Sequence, residues 1–232
     1  MTSLQLLSGG AAQGLVRQLE ARFQAQHHCG ISASFGAVGT MMGSLLAGSP
    51  CDVILLTEAL IAQLMASGDV VAGSARSLGL VKTGIACRQS KTPVVVDSPA
   101  ALKAALRAAS AIYFPDPVKA TAGVHFMNVL RQLGLEAELA DRLRSYPSGA
   151  SAMQAMADAP GTGVIGCTQA TEILFAAGVQ WVAPLPAGFE LTTTYTAAVC
   201  TRSSQLDQAK ALVELLAGAE SAALRLQCGF EK

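Results

Sequence analysis

The sequence predicts an α/β protein of two lobes, on three observations. Strand-like and helix-like segments alternate from the start and give three strand–helix units in the first 65 residues, the pattern of a parallel sheet. Two long extended stretches, near residues 78–88 and 190–200, are what a chain uses to cross into a second lobe and return. Hydrophobic residues make up 51% of the 232 and charged ones 14%, enough apolar mass for two cores of about 100 residues each. The expected division is 1–82 with 194–232 for one lobe and 83–193 for the other. Proteins of that plan place a ligand cleft between the lobes.

The elements follow from periodicity. "LQLL" reads as a strand, and the helix after it puts Leu15, Leu19 and Phe23 on one face. "GISASFG" and "TMMGSLLAG" repeat the unit, with Met41, Met42, Leu45 and Leu46 as the buried face and Gly48 closing the helix. "CDVILLT" is a continuous apolar run, suited to a strand covered on both faces. In the middle of the chain come a helix at "PAALKAALRAA", a strand at "AIYF" and a helix at "TAGVHFMNVLRQLG", with Phe126, Val129, Leu130 and Leu133 facing inward. "GTGVIG" and "VQWVAPL" are strands. Met153 and Met156 read as core residues of a helix, and Trp181 packs under the sheet. In the last helix, Ser204 and Asp207 suggest a capping box ahead of Leu206, Leu212, Val213 and Leu216.

Gly161-Thr162-Gly163-Val164-Ile165-Gly166 has the glycine spacing of a dinucleotide fingerprint. That fingerprint works only with a strand before its first glycine and a helix opening at its last. Here "SGASAMQAMADAP" precedes it and reads as a helix ended by Pro160, so the motif is a turn around a short strand running to Gly166, with loop and helix start over Cys167 to Glu172. No cofactor is expected. Sixteen basic and sixteen acidic residues cancel, which gives no electrostatic case for nucleic acid or an anionic membrane.

The N-terminus shows neither a signal peptide nor a membrane span, so the chain as given reads as cytoplasmic, and as periplasmic if a signal has been removed. The six cysteines form no CxxC pair and read as buried free thiols. His27-His28-Cys29 is a metal cluster only by adjacency, and no metal site is expected.

"LQLLSGGAAQGL", "SFGAVGTMMGSLLAGSPCDVILLT" and "TAGVHFMNVLRQLG" together resemble the type II periplasmic-binding-protein fold, and specifically the molybdate-binding proteins of ABC transporters. The Phe-Gly-x-x-Gly-Thr turn followed by Ala-Gly-x-Pro-x-Asp-Val is the most specific of these pieces. The residues agree independently. Ser8, Gly9, Gly10 and Ala11, then Val38, Gly39 and Thr40, then Thr121, Ala122 and Gly123, and Cys167, Thr168 and Gln169 lie at strand ends where helices open. Small side chains there leave backbone N–H groups open to a small anionic ligand, and the helix dipole adds partial positive charge. Thr83 is a further hydroxyl candidate.

The departures from the family bear on the ligand. Hydroxyls that the resemblance implies on a compact oxyanion fall here on Ala11, Val38 and Gly166, which have none. The resulting space suits a larger anion, a di- or tricarboxylate. The sequence also looks like the branch of this fold to which aconitate isomerase belongs, on Thr121–Phe126 with Gly166–Gln169 and Glu172.

In that reading, His125 takes and returns a proton in a 1,3-shift, its basicity tuned by the helix start; otherwise it is a packing or capping residue. Glu172 and Gln169 are a second acid/base pair or caps. Lys82, Lys119 and Arg202 are carboxylate partners or ordinary surface charges, and Cys167 lines the site. The alternative is a non-catalytic transporter-type receptor for molybdate or another small anion. The oligomeric state is not encoded in any feature of the sequence.

Overall fold

The computed structural model describes residues 2–88 and 94–232; Met1 and 89–93, which fall inside the two expected lobes, lie outside the described residues. The chain divides into two units, Met1–Val81 with Thr193–Lys232, and Lys82–Thr192.

The first unit is built on β1 (Ser3–Gly9), β2 (Gly30–Gly36) and β3 (Val53–Thr57), with β9 (Thr192–Val199) returning beside β3. β1 pairs in parallel with β2 and with β3, and β9 runs antiparallel to β3. Every residue of β3 is buried, as its unbroken apolar run requires. Helices α1 (Gln13–His27), α2 (Val38–Leu46) and α3 (Glu58–Ser67) each follow a parallel strand, and α8 (Leu206–Ala217) and α9 (Ala222–Gln227) close the chain. Leu15, Leu19 and Phe23 are buried on α1. On α2 only Val38, Met41 and Leu45 are buried, while Leu46 is 52% exposed, so the apolar stripe is narrower than expected.

The capping box expected before α8 is absent. Gln205 occupies the N-cap without a side-chain capping bond, and Ser203 instead accepts from Gln205 N–H and donates to Asp52. Leu206 is correspondingly exposed. His28 does not lie on a strand; it ends α1 in the left-handed region at φ 50°. Among the described residues no group of His, Cys, Asp and Glu is placed to hold a metal ion.

β4 (Arg76–Arg88) leads into the second unit, whose sheet holds β5 (Ala111–Pro115), β6 (Leu143–Tyr146), β7 (Val164–Gln169) and β8 (Val179–Pro184). β6, β5 and β7 are parallel, and β4 lies antiparallel to both β7 and β8. Period-2 alternation sends Ile112, Phe114, Ile165 and Cys167 to one face, where they pack with α4 (Pro99–Ala108) and α5 (Thr121–Gln132). Tyr113 and Val164 face α6 (Gly149–Ala157), with Met153 and Met156 fully buried.

Gly161 and Gly163 have φ of 82° and 76° and form the turn between α6 and β7. The dinucleotide pattern therefore holds its strand inside the motif, the wrong arrangement for a phosphate. β7 continues to Gln169 rather than stopping at Gly166, and α7 (Ala170–Phe175) opens directly after it. Trp181 lies over β4, where a Cβ on Gly84 would come within 2.4 Å of its ring.

Candidate functional site

In the first unit the parallel strands end at Gly9, Gly36 and Thr57, and a helical turn opens after each. A short 3-10 turn, Gly10–Ala12, leads into α1, and α2 starts after Ala37; neither has a side-chain cap. Gly10, Ala11 and Val38 are buried, whereas Gly39 and Thr40 are exposed. A Cβ on Gly9 would fall 2.7 Å from Val38 Cγ1 and 3.4 Å from Tyr195 Cε1, so glycine is what lets β1, α2 and β9 meet. Ser8 is fully buried and its hydroxyl donates to the Gly9 carbonyl at 2.8 Å, so that proton is already used. Thr193 and Thr196 carry buried hydroxyls without a hydrogen-bond partner.

In the second unit the helix starts after β5 and β6 are of different kinds. α5 begins after Ala120 with no side-chain cap. Asp116 fixes its approach, its carboxylate accepting from the Val118 and Lys119 N–H groups at 2.7 and 2.9 Å, which hold its pKa below the usual range. A Cβ on Gly123 would meet the Pro115 and Asp116 carbonyls at 2.3 and 2.2 Å. Gly123 thus serves the close packing of α5 onto the end of β5, a stronger constraint than ligand access.

α6 begins instead with a capping box between Ser148 and Ser151 and with an internal carboxylate. Glu172 is buried and takes a 2.5 Å hydrogen bond from Thr168 Oγ1, with further N–H donors from Ala150, Gln169 and Gly149. A Cβ on Gly149 would lie 1.9 Å from Glu172 Oε2. Burial pushes the Glu172 pKa up, and its four donors oppose that shift. Glu172 is therefore a cap, and Thr168 is spent on it.

Two expectations about β7 do not survive. The space left by Gly166 is filled from α6, where a Cβ would come within 2.5 Å of the Met153 methyl, so it adds no room for a ligand. Cys167 is fully buried in the α4/α5 core, and desolvation pushes its thiol far up. Strand alternation explains both, because residues 165 to 168 point into the two cores before the strand reaches its end.

Gln169 sits at that end. It faces Thr83 across the β4–β7 register, at 2% exposure against 1% for Thr83. Neither the Gln169 amide oxygen and nitrogen nor the Thr83 hydroxyl has a partner, and the Thr171 hydroxyl at the start of α7 is in the same state. An unpaired buried polar group costs about 1–3 kcal/mol, so a cluster of them marks a place completed by something else. Thr171 was not expected, and neither were Thr193 and Thr196, because burial without a partner leaves no trace in sequence.

A cavity of about 330 Å³ reaches Thr83 and is lined also by Lys82, Asp97, Glu190 and Thr192. A larger one, about 450 Å³, lies by the opposite end of β7 against alanines of α4 and lacks polar side chains. The first is the better candidate on chemistry. His125, on the second turn of α5, has Nε2 2.8 Å from the Phe189 carbonyl. A carbonyl only accepts, so Nε2 is the donor in this contact. Arg202 is 68% exposed with Asp69 at 3.8 Å, and Lys119 is exposed, as ordinary surface charges are.

A parallel-stranded sheet in each of two α/β units, with helices opening at the strand ends, defines the type II binding-protein fold. The chain belongs to the bacterial extracellular solute-binding protein family, whose family model matches residues 4–231. It is 25% identical over 230 residues to an aconitate isomerase of Pseudomonas sp., across 96% of this chain and 85% of that one. In structure it is similar to the periplasmic molybdate-binding protein of Azotobacter vinelandii, with a TM-score of 0.81, 20% identity and 99% of both chains covered. The sulfate-binding protein of Mycobacterium tuberculosis H37Rv matches with a TM-score of 0.71 and 18% identity, over 99% of this chain and 86% of that one. Among the described residues, no helix is long and apolar enough to cross a membrane.

Proposed function

We propose that this chain binds a small polycarboxylate and interconverts aconitate isomers by a 1,3-proton shift. The binding half is carried by one observation, the buried and unpartnered Thr83 hydroxyl and Gln169 amide. Hydroxyl and amide groups are neutral donors, and with the uncapped start of α5 they suit the oxygens of an anion already charged in solution. Ser8, Gly9, Gly10, Ala11, Val38, Gly39 and Thr40 remain the first unit's proposed contributors, with Ser8 acting through its backbone.

The catalytic half is supported by the similarity to an aconitate isomerase and by His125, whose Nε2–H is oriented by a carbonyl. A base takes a proton from the methylene of the substrate, the double bond moves by one position, and the proton returns to the former vinylic carbon. No oxidant or metal is required for that balance. The extracellular description of the family supports the exported of the two expected compartments.

A second reading has its own support. The molybdate- and sulfate-binding neighbours share the fold, and the Phe189 bond also suits a histidine that only secures the 185–191 segment. A proton NMR time course in heavy water with cis- or trans-aconitate separates the two. Interconversion with deuterium entering the methylene, reduced about 100-fold or more in His125→Asn while affinity persists, is the expected result. Stabilisation by one anion in a thermal-shift panel of citrate, aconitate and molybdate, with no interconversion, leaves the receptor reading.

A further inference from the structure

We propose that Cys51 and Cys200 are a disulfide-forming pair that locks the discontinuous first unit. Their sulfurs lie 3.4 Å apart, with the Cys200 thiol donating to Cys51. A bond requires about 2.05 Å, so the two side chains need approach by little more than 1 Å.

The backbone on both sides is already fixed. Cys200 N–H donates to the Asp52 carbonyl at 2.9 Å, and the register continues with Val53 opposite Val199. The Asp52 carboxylate in turn takes Gln5 N–H at 2.7 Å and the Ser203 hydroxyl at 2.6 Å. Other thiols with contacts are turned elsewhere: Cys29 toward the Gly30 carbonyl and Gln205, and Cys228 toward Gln18. Cys167 is enclosed in the second unit's core.

The reaction balances with a small-molecule disulfide as oxidant. Cys51, 8% exposed against 0% for Cys200, is the point of entry. Its thiolate attacks one sulfur of the oxidant and releases one thiol. The Cys200 thiolate then attacks Cys51 Sγ and releases the second. Two protons and two electrons leave the protein, and the oxidant becomes two thiols.

The consequence follows from chain order. Residues 51 and 200 are 149 apart in sequence, and the loop between them contains the whole second unit. The bond joins the two chain segments of the first unit, and a long closed loop removes much entropy from the unfolded state. An exported protein meets an oxidising environment in which such a bond persists.

The test is incubation of the folded, reduced protein with glutathione disulfide, followed by thiol titration in denaturant and peptide mapping by mass spectrometry. Loss of two of the six thiols, a linked peptide containing Cys51 and Cys200, and a Tm raised by roughly 5–10 °C support the proposal. Cys200→Ala should then keep its remaining thiols and show no such rise. Six thiols persisting after prolonged exposure, or a bond between any other pair, overturns it. The mapping uses the wild-type chain, so the answer does not depend on whether the variant folds.

Discussion

Two helix starts in the second unit, α5 and α6, follow parallel strands of the same sheet yet are finished in opposite ways. α6 carries its own carboxyl group: buried Glu172, the Thr168 hydroxyl and a serine capping box satisfy its N-terminus. α5 has no side-chain cap, and the same sheet holds Thr83 and Gln169 with unpartnered polar atoms. A capped helix start is structure already complete. An uncapped one, in a unit that also keeps unpaired donors, is where we propose that the anion binds.

The largest effect is expected where the internal carboxyl group is crowded. Gly149→Ala puts a methyl on Glu172 and should cost about 3 kcal/mol, or roughly 6–12 °C in Tm, read by thermal unfolding. Gln169→Leu should behave in the opposite sense: equal or higher stability without ligand, and anion affinity weakened by about 10-fold or more. Ala120→Ser supplies α5 with the cap it lacks. It should add roughly 0.5–1 kcal/mol of stability and weaken the anion several-fold in the same titration.

The smallest effect concerns pH. Glu172 has a raised pKa, so the folded state holds a proton that the unfolded state releases above about 4.5. Its contribution is present below that value and is lost as pH rises through the folded pKa. Unfolding midpoints across pH 4 to 8, a range of about four units, should flatten in Glu172→Gln.

The alternation of strands and helices was legible because periodicity and burial are local. β3 shows it best, a continuous apolar run that is buried along its length. β6, four residues long and rich in polar side chains, gave no such signal and was missed. The glycine pattern at 161–166 was readable as a turn because the helix before it could be recognised from its alanines and methionines.

Site chemistry was harder, because it depends on which way each side chain points at a strand end. Gly166 and Cys167 carry the right residue types but lie in the cores, three residues and two short of Gln169, where the strand opens. Glu172 reads more readily as a cap than as an acid, and its donors, Thr168 Oγ1 with the Ala150, Gln169 and Gly149 N–H groups, identify it as one.

The most direct measurement is a calorimetric titration of trans-aconitate into the wild-type chain and into Gln169→Leu, with the stability of each measured without ligand. The account predicts binding to the wild type, a loss of about 10-fold or more in the variant, and no loss of stability. Unchanged affinity in a folded Gln169→Leu protein would contradict it.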